Sequence, residues 1–302
     1  MTPTAATPFR IGTRASPLAL AQAEMAKAAL SAAHGWGADA VILVPMLSSG
    51  DKDQSRPLAE IGGKALWTKE LERALIDGAI DIAVHSMKDV ETVRSDTFHI
   101  AAMLLRADVR DRLIGADSIL SLPQNARVGT SSPRRAAQLK ALRPDLTTTP
   151  IRGNVATRLA KVANGDFAAT LLAAAGLDRL GLADTGSAIA VDQMLPAASQ
   201  GAIGFDCLSD RAELTPVLAA INHAETFDCV MAERAFLEAL SGNCHSPVAA
   251  LAVVKRKGVW LSGQILSEDG SESISGEGDD PVALAQQLLA QASPALKALF
   301  TS

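Results

Sequence analysis

Arg134 and Arg135 fall in the first turn of a segment that reads as a helix. In VGTSSPRRAAQLKAL, starting at Val128, Ser132 suits the N-cap and Pro133 the first helical position. Two positive charges therefore stand where the helix dipole is itself positive and acidic residues are favoured. Each charge costs about 0.3–1 kcal/mol there, and an anion docked on the helix N-terminus reverses the penalty. One pair could equally point into solvent, but the pattern recurs. IRGNVATRLAKVANG has Asn154 as a cap, Gly165 as a closing glycine, and Arg152 and Arg158 about the helix start. Arg14 precedes a Ser16 cap, and Arg179 follows AAAGLD in a loop or short helix. The bidentate fork of arginine suits carboxylates, and Thr130, Ser131 and Ser132 add hydroxyl donors. Together they predict a ligand that carries several carboxylates.

A second group lies in DIAVHSMKDVE. Asp81–Val84 reads as a strand, which places Ser86, Lys88 and Asp89 in the loop at its C-terminal end, where α/β proteins keep their ligand chemistry. Lys88 is a further anion anchor. Asp89 is the odd charge, and a carboxylate held among cations stays ionised. It could stabilise a developing cation or pass a proton. His85 reads as a hydrogen-bonded structural residue. The third group is LSGNCHSPVAAL. Cys207 reads as a buried strand residue and Cys229 as part of a packed helix, so Cys244 alone has the context of an open loop. It is either incidental or a nucleophile or covalent anchor.

The elements that must position these groups alternate. Strands are expected at Phe9–Thr13, Val41–Pro45, Ile80–Val84, His99–Leu104, Arg127–Gly129, Leu146–Ile151 and Ala168–Leu172. Helices are expected at Pro17–Ala33, Thr68–Asp77, Pro133–Leu142, Val155–Asn164 and Pro216–Ile221. This is the α/β pattern. IGTRASPLALAQ and VGTSSPRRAAQ echo one another, which suggests two similar lobes with a ligand cleft between them. From Phe227 the pattern changes to a helix (Asp228–Leu240), strands (Val248–Lys255, Val259–Leu266), an exposed polar stretch (Ser267–Asp280) and a last helix (Pro281–Ala298), read as a small separate α/β domain. The loop Gly50–Lys64 could cover the cleft.

Composition narrows the function. The 302 residues carry a net charge of -5, only 3% aromatics and no tyrosine, which argues against a nucleic-acid partner. No ligand spacing for a metal is present. The first residues lack the layout of a secretory signal, and charges or glycines break every apolar stretch. Three cysteines without a CxxC pair then suggest reduced thiols in the cytoplasm.

The segments IGTRASPLALAQ, GGKALWTKELERALIDGAIDIAVHSMKDV, VGTSSPRR, IRGNVATRL, AAAGLDRLGL, LPAASQGAIG and AERAFLEALSGNCHSPV resemble, in order from about Arg10 to Val248, the porphobilinogen deaminase (hydroxymethylbilane synthase) family. The resemblance implies three domains. Two are lobes like those of periplasmic binding proteins, 1–105 with 200–220 and 106–199. The third, 221–302, bears a dipyrromethane cofactor through a thioether, here at Cys244. It implies a transferase that joins four porphobilinogen units to that primer with loss of ammonia and then releases hydroxymethylbilane by hydrolysis. Each pyrrole carries an acetate and a propionate. Arg14, Ser16, Ser86, Lys88, Asp89, Thr130, Ser131, Ser132, Arg134 and Arg135 match positions that hold the cofactor. Arg14, Lys64, Trp67, Arg152, Arg158, Arg179 and Gln200 match positions for the substrate. Asp89, with Lys88, matches the catalytic position, where a carboxylate steadies positive charge on the pyrrole nitrogens. A monomer without a membrane or nucleic-acid partner is implied. The sequence departs from the family at Glu60, Trp67, Glu91 and Pro133, which stand where lysine, phenylalanine, proline and leucine are common. A non-enzymatic binding protein of the same two-lobe fold would explain the arginines, but not the third domain or Cys244.

Overall fold

The computed structural model describes residues 2–47, 68–243, 245–256 and 258–300. The loop Gly50–Lys64 with Glu60 and Lys64, together with Trp67 and Cys244, lies outside the described residues. The chain forms two compact units, 1–107 with 202–227 and 108–201 with 228–302.

The first unit is built on β1 (Phe9–Arg14), α1 (Pro17–His34), β2 (Val41–Met46), α2 (Lys69–Ile76), β3 (Ile82–Ser86), β4 (Phe98–Met103), β10 (Ile203–Leu208) and α6 (Thr215–Ala219). Its sheet runs β2-β1-β3-β10-β4, with β1 parallel to β2 and β3 and with β10 antiparallel to β3 and β4. The two-residue period of the strands sorts the core. Phe9, Ile11, Ile82, Val84 and Phe205 pack with Ala23, Ala26 and Leu30 of α1. Ala83 and Phe98 join Leu71, Ala74 and Leu75 of α2 in a second cluster. Helix α1 starts where the sequence requires it. Ser16 Oγ accepts from Ala19 N at 3.3 Å and Pro17 takes the first position. It stops at Gly35, whose φ of 67° is one a glycine adopts without penalty.

The second unit holds two sheets. The larger has the order β7-β6-β8-β5-β9, from β5 (Asp111–Ile114), β6 (Arg127–Gly129), β7 (Thr147–Thr149), β8 (Ala169–Ala173) and β9 (Ser187–Ala188). It is served by α3 (Pro133–Leu142), α4 (Val155–Ala163) and α5 (Ala174–Arg179). Strand β6 lies parallel to β7 and β8, while β5 is antiparallel to β8 and β9. The echo in the sequence has its counterpart here. Both β1–α1 and β6–α3 are a strand with parallel neighbours on each side, a serine cap, a proline and a helix. The smaller sheet is antiparallel, β11 (Val248–Lys255), β12 (Gly258–Leu266) and β13 (Ser273–Gly278). Its Leu261 and Ile265 share a core with Phe236 and Leu240 at the end of the α7 segment (Ala224–Ala239) and with Leu284 and Leu288 of α8 (Pro281–Gln291).

Two expectations are corrected. The polar stretch 267–280 contains β13, whose residues alternate between exposed and partly buried and gave no apolar run. The last helix is broken. Ala292 is extended, Ser293 caps a new start by accepting from Leu296 N, and Pro294 opens the short α9 (Pro294–Lys297).

Candidate active site

In the first unit a pocket opens at the C-terminal end of β1 and β3. Its walls include Arg14, Ser16, Leu18, Ala19, Gln22, Thr68, His85, Ser86 and Asp89. Arg14 closes β1 and Ser16 caps α1, so a guanidinium and a helix N-terminus face the same space. Ser86 closes β3, and its Oγ accepts from Gln22 Nε2 at 2.7 Å. Lys88 and Asp89 lie on a 3-10 turn, Met87–Asp89. The turn is anchored by buried Met87, whose N–H donates to Ala202 O, and closed by Val90 N–H donating to Met87 O. Asp89 is exposed on the pocket wall. His85 is buried, and burial first, then the nearby Arg94 charge, pushes its pKa down to about 3. It is a neutral imidazole at physiological pH and supplies no positive charge. Thr68 Oγ1 is buried and has no hydrogen-bond partner among the described residues. Gln22 and Thr68 gave no signal in the sequence, since Gln22 sits inside α1, whose other residues carry the pattern, and Thr68 just before α2.

Beside this pocket lies a set of charges that sequence reasoning missed. Arg94 donates through Nη1 to Glu72 Oε1 at 2.6 Å and through Nη2 to Asp206 Oδ2. Glu91 Oε2 lies 3.6 Å from Arg94 Nη1, and His85 Nε2 lies 3.5 Å from Asp206 Oδ2. Burial, then the neighbouring Glu72 charge, raises the pKa of Glu91 above the usual carboxylate value.

In the second unit the arginine pair has an internal partner. Arg134 and Arg135 are only 2% and 7% exposed. Arg134 Nη2 reaches Asp111 Oδ2 at 2.7 Å, and Arg135 Nη2 reaches Asp111 Oδ1 at 2.6 Å. Arg134 Nη1 also donates to Gln138 Oε1 and Leu195 O, and Arg135 Nη1 to Leu171 O. Gln200 Nε2 donates to the same Asp111 Oδ1 at 2.9 Å and to Val109 O at 2.7 Å. The alternative that the pair points into solvent is thus corrected: both side chains are buried, and β5, which the sequence pattern did not reveal, brings a carboxylate under the helix start. Burial alone would raise the pKa of Asp111. The two guanidiniums reverse that and hold it well below the usual carboxylate range. Two cations on one anion still leave the helix start net positive.

The hydroxyls of the loop serve the backbone. Thr130 Oγ1 accepts from Ser132 N, Ser131 Oγ donates to Ile151 O and accepts from Ile151 N, and Ser132 Oγ accepts from Arg135 N. Asn154 caps α4 through Thr157 N. Arg158 Nε donates to Gly153 O at 2.9 Å, and Arg152 has a buried Nη1 with no partner among the described residues. Arg179 ends α5, with Nη2 donating to Gly201 O at 2.7 Å and Nε likewise without a partner. Burial, partly offset by Asp178, lowers the Arg179 pKa to about 10. The orphaned donors of Arg152 and Arg179 in this unit suit an anionic ligand. Among the described residues no group of three potential ligands could hold a metal, and no helix is long and apolar enough to cross a membrane.

Residues 9–216 match the family model described as porphobilinogen deaminase, dipyromethane cofactor binding domain, and residues 227–296 match that of the porphobilinogen deaminase C-terminal domain. A porphobilinogen deaminase of Sphingopyxis alaskensis is 56% identical over 98% of this chain and 97% of its own length. One from Paracoccus denitrificans is 49% identical over 91% and 89%. A substrate-binding domain of a putative amino acid ABC transporter from Streptococcus pneumoniae aligns at 13% identity over 76% of this chain and 94% of its own, with a TM-score of 0.45.

Proposed function

Because the chain belongs to the porphobilinogen deaminase family, we propose how its own residues carry out that reaction. The enzyme is a hydroxymethylbilane synthase, joining four porphobilinogen molecules head to tail on a dipyrromethane primer with loss of ammonia and then releasing the linear product by hydrolysis. The primer, when bound, supplies the pyrrole carbon on which the chain grows and stays with the protein. Cys244 is its anchor, by resemblance to the family cysteine in the segment GNCHSP.

The observation that carries the reading is the exposed Asp89 carboxylate in a pocket otherwise walled by donors and neutral groups. Loss of ammonia from porphobilinogen leaves an electron-poor methylene and positive charge spread toward the pyrrole nitrogen. A carboxylate fixed on a short turn stabilises that charge without reorganising, and can take the ring proton. Arg14, the Ser16 helix start, Ser86 and Lys88 orient acetate and propionate groups about it. Arg134 and Arg135, with Thr130, Ser131 and Ser132 shaping their loop, offer a residual positive charge to cofactor carboxylates. Arg152, Arg158 and Arg179 suit substrate carboxylates in the same way, and Gln200, Lys64 and Trp67 are assigned to the substrate by resemblance alone. We read the second unit as two domains, one for each of its sheets, with the C-terminal one holding the cofactor. The enzyme is proposed to act as a monomer in the cytoplasm; its described cysteines Cys207 and Cys229 are free thiols, as a reducing compartment keeps them.

Intact mass, beside a Cys244→Ser control, tests the anchor: an added pair of linked pyrroles on the wild type alone is expected. Asp89→Ala should load the cofactor and fold normally yet fail to turn over porphobilinogen. Normal turnover in that variant removes the assigned role.

A further inference from the structure

The charges under the Asp89 turn are arranged around one side chain. Arg94 is 9% exposed and touches three carboxylates from three places: Glu72 on α2, Asp206 on β10 and Glu91, two residues beyond Asp89. Its guanidinium also lies over the Phe98 ring at 5.3 Å to the centroid. Asp206 is almost fully buried, and its Oδ2 serves both Arg94 and His85. A buried carboxylate does not stay without a cation. If Arg94 were absent, a protonated His85 would be a cation within reach of Asp206, its Nε2 lying 3.5 Å from Oδ2. That imidazolium would stand in the pocket it shares with Asp89, and would compete for the carboxylate that the reaction needs for its own developing charge.

We propose that Arg94 is a positioning residue for Asp89: it clamps the chain after the turn against α2 and β10, and it occupies the carboxylate that His85 would otherwise pair with. This rests on the reading of Asp89 as the catalytic carboxylate. The groups that face His85 fit the second half of the role. Arg94 and Arg14, from the segment before β4 and from β1, disfavour its charged form, while Glu72 and Asp89 favour it, and burial outweighs each of them. Removing Arg94 deletes the largest charge that keeps His85 neutral and frees Asp206 to draw a proton onto it. The first half follows from geometry. The turn is closed by Val90 N donating to Met87 O at 3.2 Å and tied to Ala202 O through Met87 N, and the Glu91–Arg94 contact holds the chain on its far side.

The test uses cofactor-loaded protein and two readouts: kcat and KM for porphobilinogen, and the imidazole nitrogen resonances of 15N-histidine-labelled protein, with His85 assigned through His85→Gln. Arg94→Met should lower kcat about a hundredfold, the scale of a small misplacement of a reacting group, with KM little changed, and should raise the pH at which His85 takes up its proton. Arg94→Met with Asp206→Asn removes the carboxylate as well, and should return the His85 titration toward that of the wild type and regain activity over the single variant. A purely structural role predicts the opposite, a double variant worse than the single. Should Arg94→Met not fold, Arg94→Lys decides. A lysine keeps a cation for Asp206 but lacks the fork that holds Glu72 at the same time, so kcat should fall while His85 stays neutral. Wild-type kcat in Arg94→Lys, or a His85 titration in folded Arg94→Met that does not move from the wild type, overturns the proposal. Asp89→Ala separates the two readings: if it turns over normally the catalytic assignment fails, whereas a dead Asp89→Ala beside a fully active Arg94→Met removes the Arg94 role alone.

Discussion

Replacing Asp111 by asparagine probes the second unit where its charges are most concentrated. Asp111 is 1% exposed and accepts from Arg134, Arg135 and Gln200 at 2.6 to 2.9 Å. The amide keeps the shape, but loses the charge and turns one acceptor into a donor facing a guanidinium. Two buried cations then confront each other at a helix N-terminus that is already positive. Removing one partner of a buried ion pair costs about 3–5 kcal/mol, and at about 2–4 °C per kcal/mol for a unit of this size the melting temperature should drop by roughly 10 °C. The assay is thermal unfolding of the cofactor-free protein, with hydrogen exchange assigning the loss to α3, β5 and β8 and not to the first unit. The pH dependence has a fixed sign. The folded-state pKa of Asp111 lies below the ordinary value, so its contribution is complete above about pH 4 and is lost as pH falls toward the folded-state value. The gap between wild type and variant should therefore be widest at neutral pH and narrow on acidification. A drop under about 2 °C, near 1 kcal/mol, or a gap that widens in acid would refute the reasoning.

Gly204 and His85 offer two further tests. A Cβ at Gly204 would lie 2.9 Å from Met87 Cγ and closer still to its sulfur, so Gly204→Ala must displace the buried anchor of the Asp89 turn. It should cost about 1–3 kcal/mol of stability and lower kcat more than it raises KM; kinetics and melting curves check both, and an unchanged kcat in a destabilised protein refutes the link. His85 stays neutral down to about pH 3 in the fold, whereas the unfolded chain takes up that proton below about pH 6.5. Wild-type stability should fall across that window by up to about 1.4 kcal/mol per pH unit, and the fall should be shallower in His85→Gln, so parallel stability curves against pH refute the assignment.

The sequence was legible where local chemistry decides the structure. Ser16-Pro17, Ser132-Pro133 and Asn154 each carry a cap and each starts a helix where expected, because the orphaned amides of a helix start need a nearby oxygen whatever the tertiary fold. Buried strands such as β3 and β8 showed as apolar runs. Strand β13 did not, since an edge strand with one solvated face can be written in Ser and Gly. Strand β5 was missed for a different reason. Asp111 and Arg112 break its pattern, and the reason for a carboxylate there is 23 and 24 residues away, in Arg134 and Arg135. Arg94 is the same case: nothing near it in the sequence explains it, because two of its partners come from α2 and β10. Site residues at element ends announce themselves, whereas residues that hold them across an interior do so only through their partners.

Both units carry this division of labour. Among the described residues of the first, the acidic side chains Glu72, Asp89, Glu91 and Asp206 lie about the turn, and Arg94 engages three of them. The fourth, Asp89, is the one exposed on the pocket wall. The second places one carboxylate beneath two arginines, which fixes both guanidiniums in one geometry yet leaves a net positive charge. Fixing them in advance matters for a ligand rich in carboxylates. An arginine still free to rotate must lose about 0.5–1.5 kcal/mol of side-chain entropy at each binding event, and one already held by Asp111 has lost it on folding. A full set of internal counter-ions would cancel the charge that draws the ligand, and none at all would leave two buried cations repelling each other. One carboxylate for two arginines lies between these limits, and Asp111→Asn measures how much of the stability of the second unit depends on it.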